Sequence, residues 1–258
     1  MNKTSSFLLT LSIALAAVLT FSCSDGNKDE ESPGNNLIEN GDSSSSEGDR
    51  RGESSSSSVS GVIYGNSVNY GNETYKTVVI GDQTWFARNL NYEVEGSRCY
   101  GDDPANCDIY GRLYDWETAM EVCPNGWHLP NEDEWMELIR FVEDDVGAEH
   151  HYNPHTSQTA GIYLTATSGW NNNAGGNGTD NYGFYALPGG GINSDSSLTA
   201  AVGYGGVWWS ATEYNSDYVD CWFIHPRVAG ECLYYYHEND RQVGAYKSDL
   251  LSVRCLKN

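Results

Sequence analysis

The alternation of apolar and polar positions divides the chain into segments with different periods. From Phe7 to Phe21 the residues are apolar with only Ser and Thr interspersed, behind a single charge at Lys3. That is the length of a secretory signal core, shorter than the ~20 residues a spanning helix needs, so residues 1–22 read as a signal peptide. Residues 23–60 show no period. They hold no aromatic residue, serine runs at 43–46 and 54–58, and charges of both signs, which predicts a disordered, acidic, Ser-rich tether. From residue 61 the pattern becomes that of a folded domain. Thr74–Ile80 is rich in β-formers, Gly81-Asp82 is a turn dipeptide, and Gln83–Ala87 follows, which predicts a hairpin. Asp115–Val122 and Asn131–Val142 read as the two helices. In the second, Asn131 and Glu134 have capping-box spacing and Trp135, Leu138, Ile139 and Val142 recur at helical spacing, a core-facing stripe. Beyond residue 160 the chain becomes short strands between Gly- and Asn-rich loops, notably Trp170–Tyr182 and Leu187–Ser197. Two early helices and many short antiparallel strands predict one α+β domain over residues 61–258.

Composition sharpens that division. All 8 Trp and all 18 Tyr lie beyond residue 60, with six of the 7 Cys. The formal net charge is −22, which excludes nucleic acid and anionic lipid surfaces as partners, because both need clustered Lys and Arg. The remaining cysteine, Cys23, follows Ser22 at the end of the apolar stretch, an arrangement similar to a bacterial lipobox, with Thr20 where an aliphatic residue is usual. Lipidation of Cys23 would anchor the chain stably by more than one acyl chain, and no later segment is long and apolar enough to span a bilayer. The acidic run Ser24 to Glu31 resembles a surface-export tag. The expected location is therefore the bacterial cell envelope, lipid-anchored to the outer membrane and surface-exposed, with the anchor as the only membrane contact.

A signal peptide places the domain in an oxidising compartment, where six cysteines predict three disulfides among 15 formal pairings. Cys99 and Cys107 flank one loop, Cys221 and Cys232 flank a strand-turn-strand, and both are plausible local pairs; Cys123 and Cys255 remain. A zinc site is the competing reading, but it needs paired ligands such as Cys-x-x-Cys, which are absent.

The blocks Gly71–Trp85 with Asn89-Leu90-Asn91-Tyr92, Gly111–Trp116, Cys123–Pro130 with Glu134-Trp135, Gly178–Phe184 with Ala186–Gly190, Trp208–Glu213 and Ser252–Cys255 resemble, in order, the Fibrobacter succinogenes major paralogous (FISUMP) domain. The resemblance covers nearly all of residues 62–258. Phe86 and Arg88 replace an expected Met and Glu, and Cys221 and Cys232 look like additions. That family is similar to C-type-lectin-like domains and to the formylglycine-generating enzyme fold, whose strand-turn-helix resembles His128-Leu129-Pro130 running into Glu134-Trp135. The resemblance implies a fold rather than a reaction.

Formylglycine-generating enzymes hold copper on closely spaced cysteines, and Cys221 with Cys232 departs from that spacing, so a structural disulfide is the expectation. His150, His151 and His155 suggest a metal, but Pro154 breaks any helix that would align them, which favours an exposed polar loop. Acid pairs such as Asp102-Asp103, or Asp217 with Asp220, have the composition of a glycosidase site, but pairs of this kind arise by chance in so acidic a domain. Carbohydrate binding has the better rationale, since aromatic faces stack on sugars while amides and carboxylates meet hydroxyls. Trp170, Asn171, Asn172, Asn173, Asp180 and Asn181 lie in one loop-rich stretch, and Trp208 and Glu213 in another. Trp208 and Trp209 alternate in a strand, so at least one is core. Calcium held by Asp and Asn oxygens there is compatible with the lectin resemblance, though no ordered ligand series is visible. The expected function is a surface-tethered, non-enzymatic, lectin-like binding module for polysaccharide or glycan. A structural or adhesive binder of another surface protein comes second, and an oxidase of the formylglycine-generating type third.

Overall fold

In a computed structural model, residues 61–148, 155–194, 198–232, 235–236 and 242–258 are described. The expected signal peptide, Cys23 and the tether lie outside the described residues. The predicted hairpin forms as Thr77–Ile80 and Gln83–Phe86, with Val78 opposite Trp85 and Ile80 opposite Gln83. Gly81 turns the chain at φ +60°, and a Cβ there would lie 2.8 Å from the Phe141 ring, so glycine serves both the turn and the packing. Glu73–Tyr75 breaks away to pair with Val68–Tyr70 instead. The hairpin sits in a five-stranded sheet of order Ile63–Tyr64, Thr77–Ile80, Gln83–Phe86, Leu256–Lys257, Trp127–His128. The last strand of the chain thus closes onto the first hairpin, Leu256 opposite Trp85.

A second sheet carries the rest of the domain. Its path runs Ser97–Arg98, Leu113–Tyr114, Leu251–Ser252, Gly206–Glu213, Tyr218–His225, Val228–Glu231, Thr156–Ser157. All its pairings are antiparallel except Gly206–Glu213 with Leu251–Ser252. The two eight-residue strands at its centre form the long hairpin on which both cores are built.

Among the described residues four helices cover these sheets: α1 (Pro104–Tyr110), α2 (Trp116–Glu121), α3 (Glu132–Asp145) and α4 (Ala160–Leu164). The expected helices are α2 and α3, and α3 continues three residues past Val142. Asp115 caps α2 by accepting from the Thr118 N–H, and Asn131 with Glu134 forms the full capping box of α3. The other two lack an apolar stripe. In α1 Asp103 caps the start, Pro104 occupies the first turn and Cys107 alone is buried. In α4 the Ser157 hydroxyl accepts from the Ala160 N–H. No helix among the described residues is long and apolar enough to cross a membrane.

The 206–213 strand is buried on both faces. Trp208 belongs to a core with Trp85, Trp135, Leu138, Val142, Phe184 and Trp222, whereas Trp209 belongs to a second core with Tyr75, Phe86, Tyr114 and Val253. Both tryptophans are 0 % exposed. Between the two cores lies a buried cation. The Arg254 guanidinium, also 0 % exposed, donates to Asn89 Oδ1 from Nη2 at 2.7 Å and from Nε at 3.2 Å, and to the Phe86 and Phe184 carbonyls. It lies 4.4 Å from the Phe184 ring centre. Asn89 Oδ1 also accepts from Trp208 Nε1 at 2.7 Å, and Asn89 Nδ2 donates to the Tyr110 carbonyl.

The three cysteine pairs form as the spacing suggested, with Cys99–Cys107, Cys123–Cys255 and Cys221–Cys232 bonded. Cys123–Cys255 spans 132 residues and ties the end of α2 to the closing strand. In the chain-entropy picture it contributes about 4 to 5 kcal/mol, against roughly 2.5 kcal/mol for the short Cys99–Cys107 loop. Replacing Cys123 and Cys255 together by Ser is expected to lower the thermal midpoint by roughly 8 to 20 °C, about twice the effect of replacing Cys99 and Cys107. Calorimetry on the two double variants checks the order.

Candidate functional site

The Asn-rich stretch folds into a ledge beside the start of the 206–213 strand. Asn171 opens a 3-10 turn over Asn172–Ala174: its Oδ1 accepts from the Asn173 N–H at 2.9 Å, and Gly175 closes the turn at φ +97°. The Asn171 N–H donates to the Gly203 carbonyl at 2.8 Å, and Asn171 Nδ2 donates to the Tyr204 hydroxyl at 3.0 Å. Tyr204 is 46 % exposed. A Cβ on Gly175 would lie 2.9 Å from Arg227 Nε, so the exposed Arg227 lies along the same ledge. Asn172, Asn173, Tyr204 and Arg227 present an aromatic ring, two amides and a guanidinium to solvent.

Two residues expected to bind ligand are core instead. Trp170 is 5 % exposed; its Nε1 donates to the Ala186 carbonyl and its ring meets His225 edge-on at 5.7 Å. It is the plug that anchors the ledge. Trp208 is fully buried and spends its N–H on Asn89, so neither ring has a face free for a sugar. Both sides of its strand are covered, which period-2 alternation alone does not reveal. Glu213 is exposed but lies at the far end of that strand, roughly 20 Å from the ledge at the usual rise, where it pairs with Lys247 above the Trp116 ring. The structure does not bring it to the Asn loop.

Asp180 and Asn181 follow on the same loop. Asn181 is exposed. Asp180 has φ +47°, and its Oδ1 accepts from the Tyr185 N–H at 2.7 Å, so its carboxylate shapes the backbone. The loop's oxygens from Asn171, Asn177 and Asp180 each accept a backbone N–H. Of the acid pairs, Asp102 forms an ion pair with Arg98 at 2.7 Å and Asp103 caps α1.

Sequence reasoning missed Tyr204 and Arg227, whose signal is only their exposure beside a tight turn. It read His155 as part of an exposed polar loop: the residue does lie in a turn with its side chain 40 % exposed, and its Nδ1 lies 2.5 Å from Glu231 Oε1 and 3.1 Å from Glu132 Oε1. His150 and His151 lie outside the described residues.

Compared with known proteins, residues 78–257 match the model of the Fibrobacter succinogenes major domain. Nothing among curated proteins or solved structures matches the chain.

Burial pushes the Asp180 carboxyl up to about 6. Its folded value then exceeds the unfolded one, near 3.9, so the folded state holds the proton more tightly and stability falls as pH rises from about 4 to 6. Asp180→Asn keeps an oxygen for the Tyr185 N–H and suits a positive φ. It is expected to stabilise the protein by about 1 to 2 kcal/mol near neutral pH, after solvent screening, and to change little near pH 4. Thermal melts followed by circular dichroism at the two pH values read the difference.

Proposed function

Because the chain belongs to the Fibrobacter succinogenes major domain family, which carries no assigned chemistry, we propose from its own residues that it is a non-enzymatic, lectin-like binding module for a polysaccharide or glycan. A lipidated Cys23 holds it in the bacterial outer membrane, and the Ser-rich tether sets the domain off from the surface. The observation that carries this reading is Tyr204, a large aromatic ring nearly half exposed, with its hydroxyl fixed by Asn171 and with Asn172, Asn173 and Arg227 around it.

The physics of sugar binding fits that arrangement. A pyranose offers an apolar face for stacking and hydroxyls for hydrogen bonding, and a tyrosine with two torsions loses little entropy on contact. The Asn171 bond removes part of that cost in advance. Trp170 beneath keeps the ledge rigid. The three disulfides suit an extracellular setting, and a C-type-lectin-like arrangement would place a ligand on such loops.

The test is binding of the full chain, disulfides intact and solubilised in detergent, to a glycan array and to insoluble plant polysaccharides. Saturable binding that weakens at least about tenfold in Tyr204→Ala, with an unchanged fold, is expected. Tyr204→Phe keeps the ring and is expected to retain most of it. No binding to any glycan by the folded protein, or binding unaltered in Tyr204→Ala, would overturn the reading and favour a surface-protein partner.

A further inference from the structure

At the opposite end of the long hairpin from Arg227, four elements converge on one point. Glu132 is the first residue of α3, and its N–H donates to Thr212 Oγ1 at 2.9 Å, which fixes the helix start on the sheet. Glu231 ends the Val228–Glu231 strand and stands opposite Trp222. Asp220, two residues before Trp222, shares that face by strand alternation, with its carboxyl beside that of Glu132. His155 enters from the residue just before the adjacent Thr156–Ser157 strand, where its carbonyl accepts from the Glu231 N–H at 3.1 Å. Trp135, one turn into α3, stacks on Trp222 with ring centres 5.9 Å apart, so the helix closes the site from one side.

One ligand atom each from Glu132, His155 and Glu231 lie within 4.8 Å of one another. The His155 Nδ1 to Glu231 and Glu132 separations are 2.5 and 3.1 Å. Tetrahedral coordination with bonds of about 2.0 to 2.1 Å requires edges of about 3.3 Å, reached by side-chain adjustments of under about 1 Å. The three side chains are 27, 40 and 21 % exposed, so further coordination positions face solvent.

The charge balance also asks for a cation. Three carboxylates meet one imidazole, which carries at most one positive charge. A divalent ion answers that repulsion twice over, and an imidazole nitrogen among carboxylate oxygens suits zinc or manganese better than calcium or magnesium, which take oxygen ligands. We propose that Glu132, His155 and Glu231, with Asp220 alongside, bind one divalent transition-metal ion where α3 meets the central sheet. The ion pins the start of α3 to the Val228–Glu231 strand. The site is separate from the Tyr204 ledge and does not depend on the glycan reading.

The full chain with its disulfides intact, stripped with chelator, is titrated with zinc, manganese and calcium chlorides by calorimetry. One zinc per chain is expected, weakened at least about tenfold in His155→Ala and in Glu231→Gln, with calcium at least about a hundredfold weaker than zinc. The His150→Ala/His151→Ala double variant is expected to bind as the parent does. Absence of stoichiometric zinc binding, calcium bound as tightly as zinc, retention in both site variants, or loss in the His150/His151 variant would overturn the assignment. Should His155→Ala fail to fold, the near-isosteric Glu231→Gln decides.

Discussion

The amide oxygen of Asn89 accepts from Arg254 twice and from Trp208 once, and the two cores meet around it. A guanidinium taken wholly out of water is costly unless each of its donors is satisfied. Here its hydrogen bonds go to the neutral oxygens of Asn89, Phe86 and Phe184, with the Phe184 ring beneath and the field of Asp180 beyond. Burial pushes Arg254 down to about 9, which still leaves it charged at neutral pH. The acceptors come from the end of the first hairpin and from the 184 loop, and Asn89 reaches on to the end of α1. The network therefore joins segments far apart in the chain, and it tolerates few alternative packings.

That constraint has a consequence for function. Trp85, Trp135, Trp208, Trp209 and Trp222 are each at most 1 % exposed, so most of the aromatic richness that suggested a sugar-binding surface serves as core. The surface proposed for recognition lies on loops held by that core: the Asn171–Asn173 turn, Tyr204, and Arg227 at the tip of a hairpin. Trp170 links the two roles, since it is buried and yet fixes the ledge from beneath. The cluster around His155 uses the same scaffold differently, with α3 and the central sheet each supplying ligand groups to their shared edge.

The parts of the fold that were legible in the sequence were those with local signals. The capping box and the apolar stripe identify α3, the Gly81-Asp82 turn identifies the first hairpin, and short separations identify two of the disulfides. By contrast, α1 and α4 are five to seven residues long without a stripe, so no periodicity marks them. Trp208 and Trp170 were misread because alternation gives which residues share a face but not whether that face meets water. The site residues were less legible still. His155, Asp220 and Glu231 come from strands and loops of separate sequence regions, and Tyr204 is distinguished from seventeen other tyrosines only by its place beside Asn171.

A double-mutant cycle on Asn89 and Arg254, measured by chemical denaturation, tests the central constraint most directly. Asn89→Ala should cost about 3 to 5 kcal/mol, because it leaves a buried charge without its principal acceptor. Arg254→Met should remove that penalty, so that the double variant is no less stable than Asn89→Ala alone and the coupling is about 2 kcal/mol or more. Additive costs, with coupling near zero, would contradict the account by showing that the two residues stabilise the cores independently.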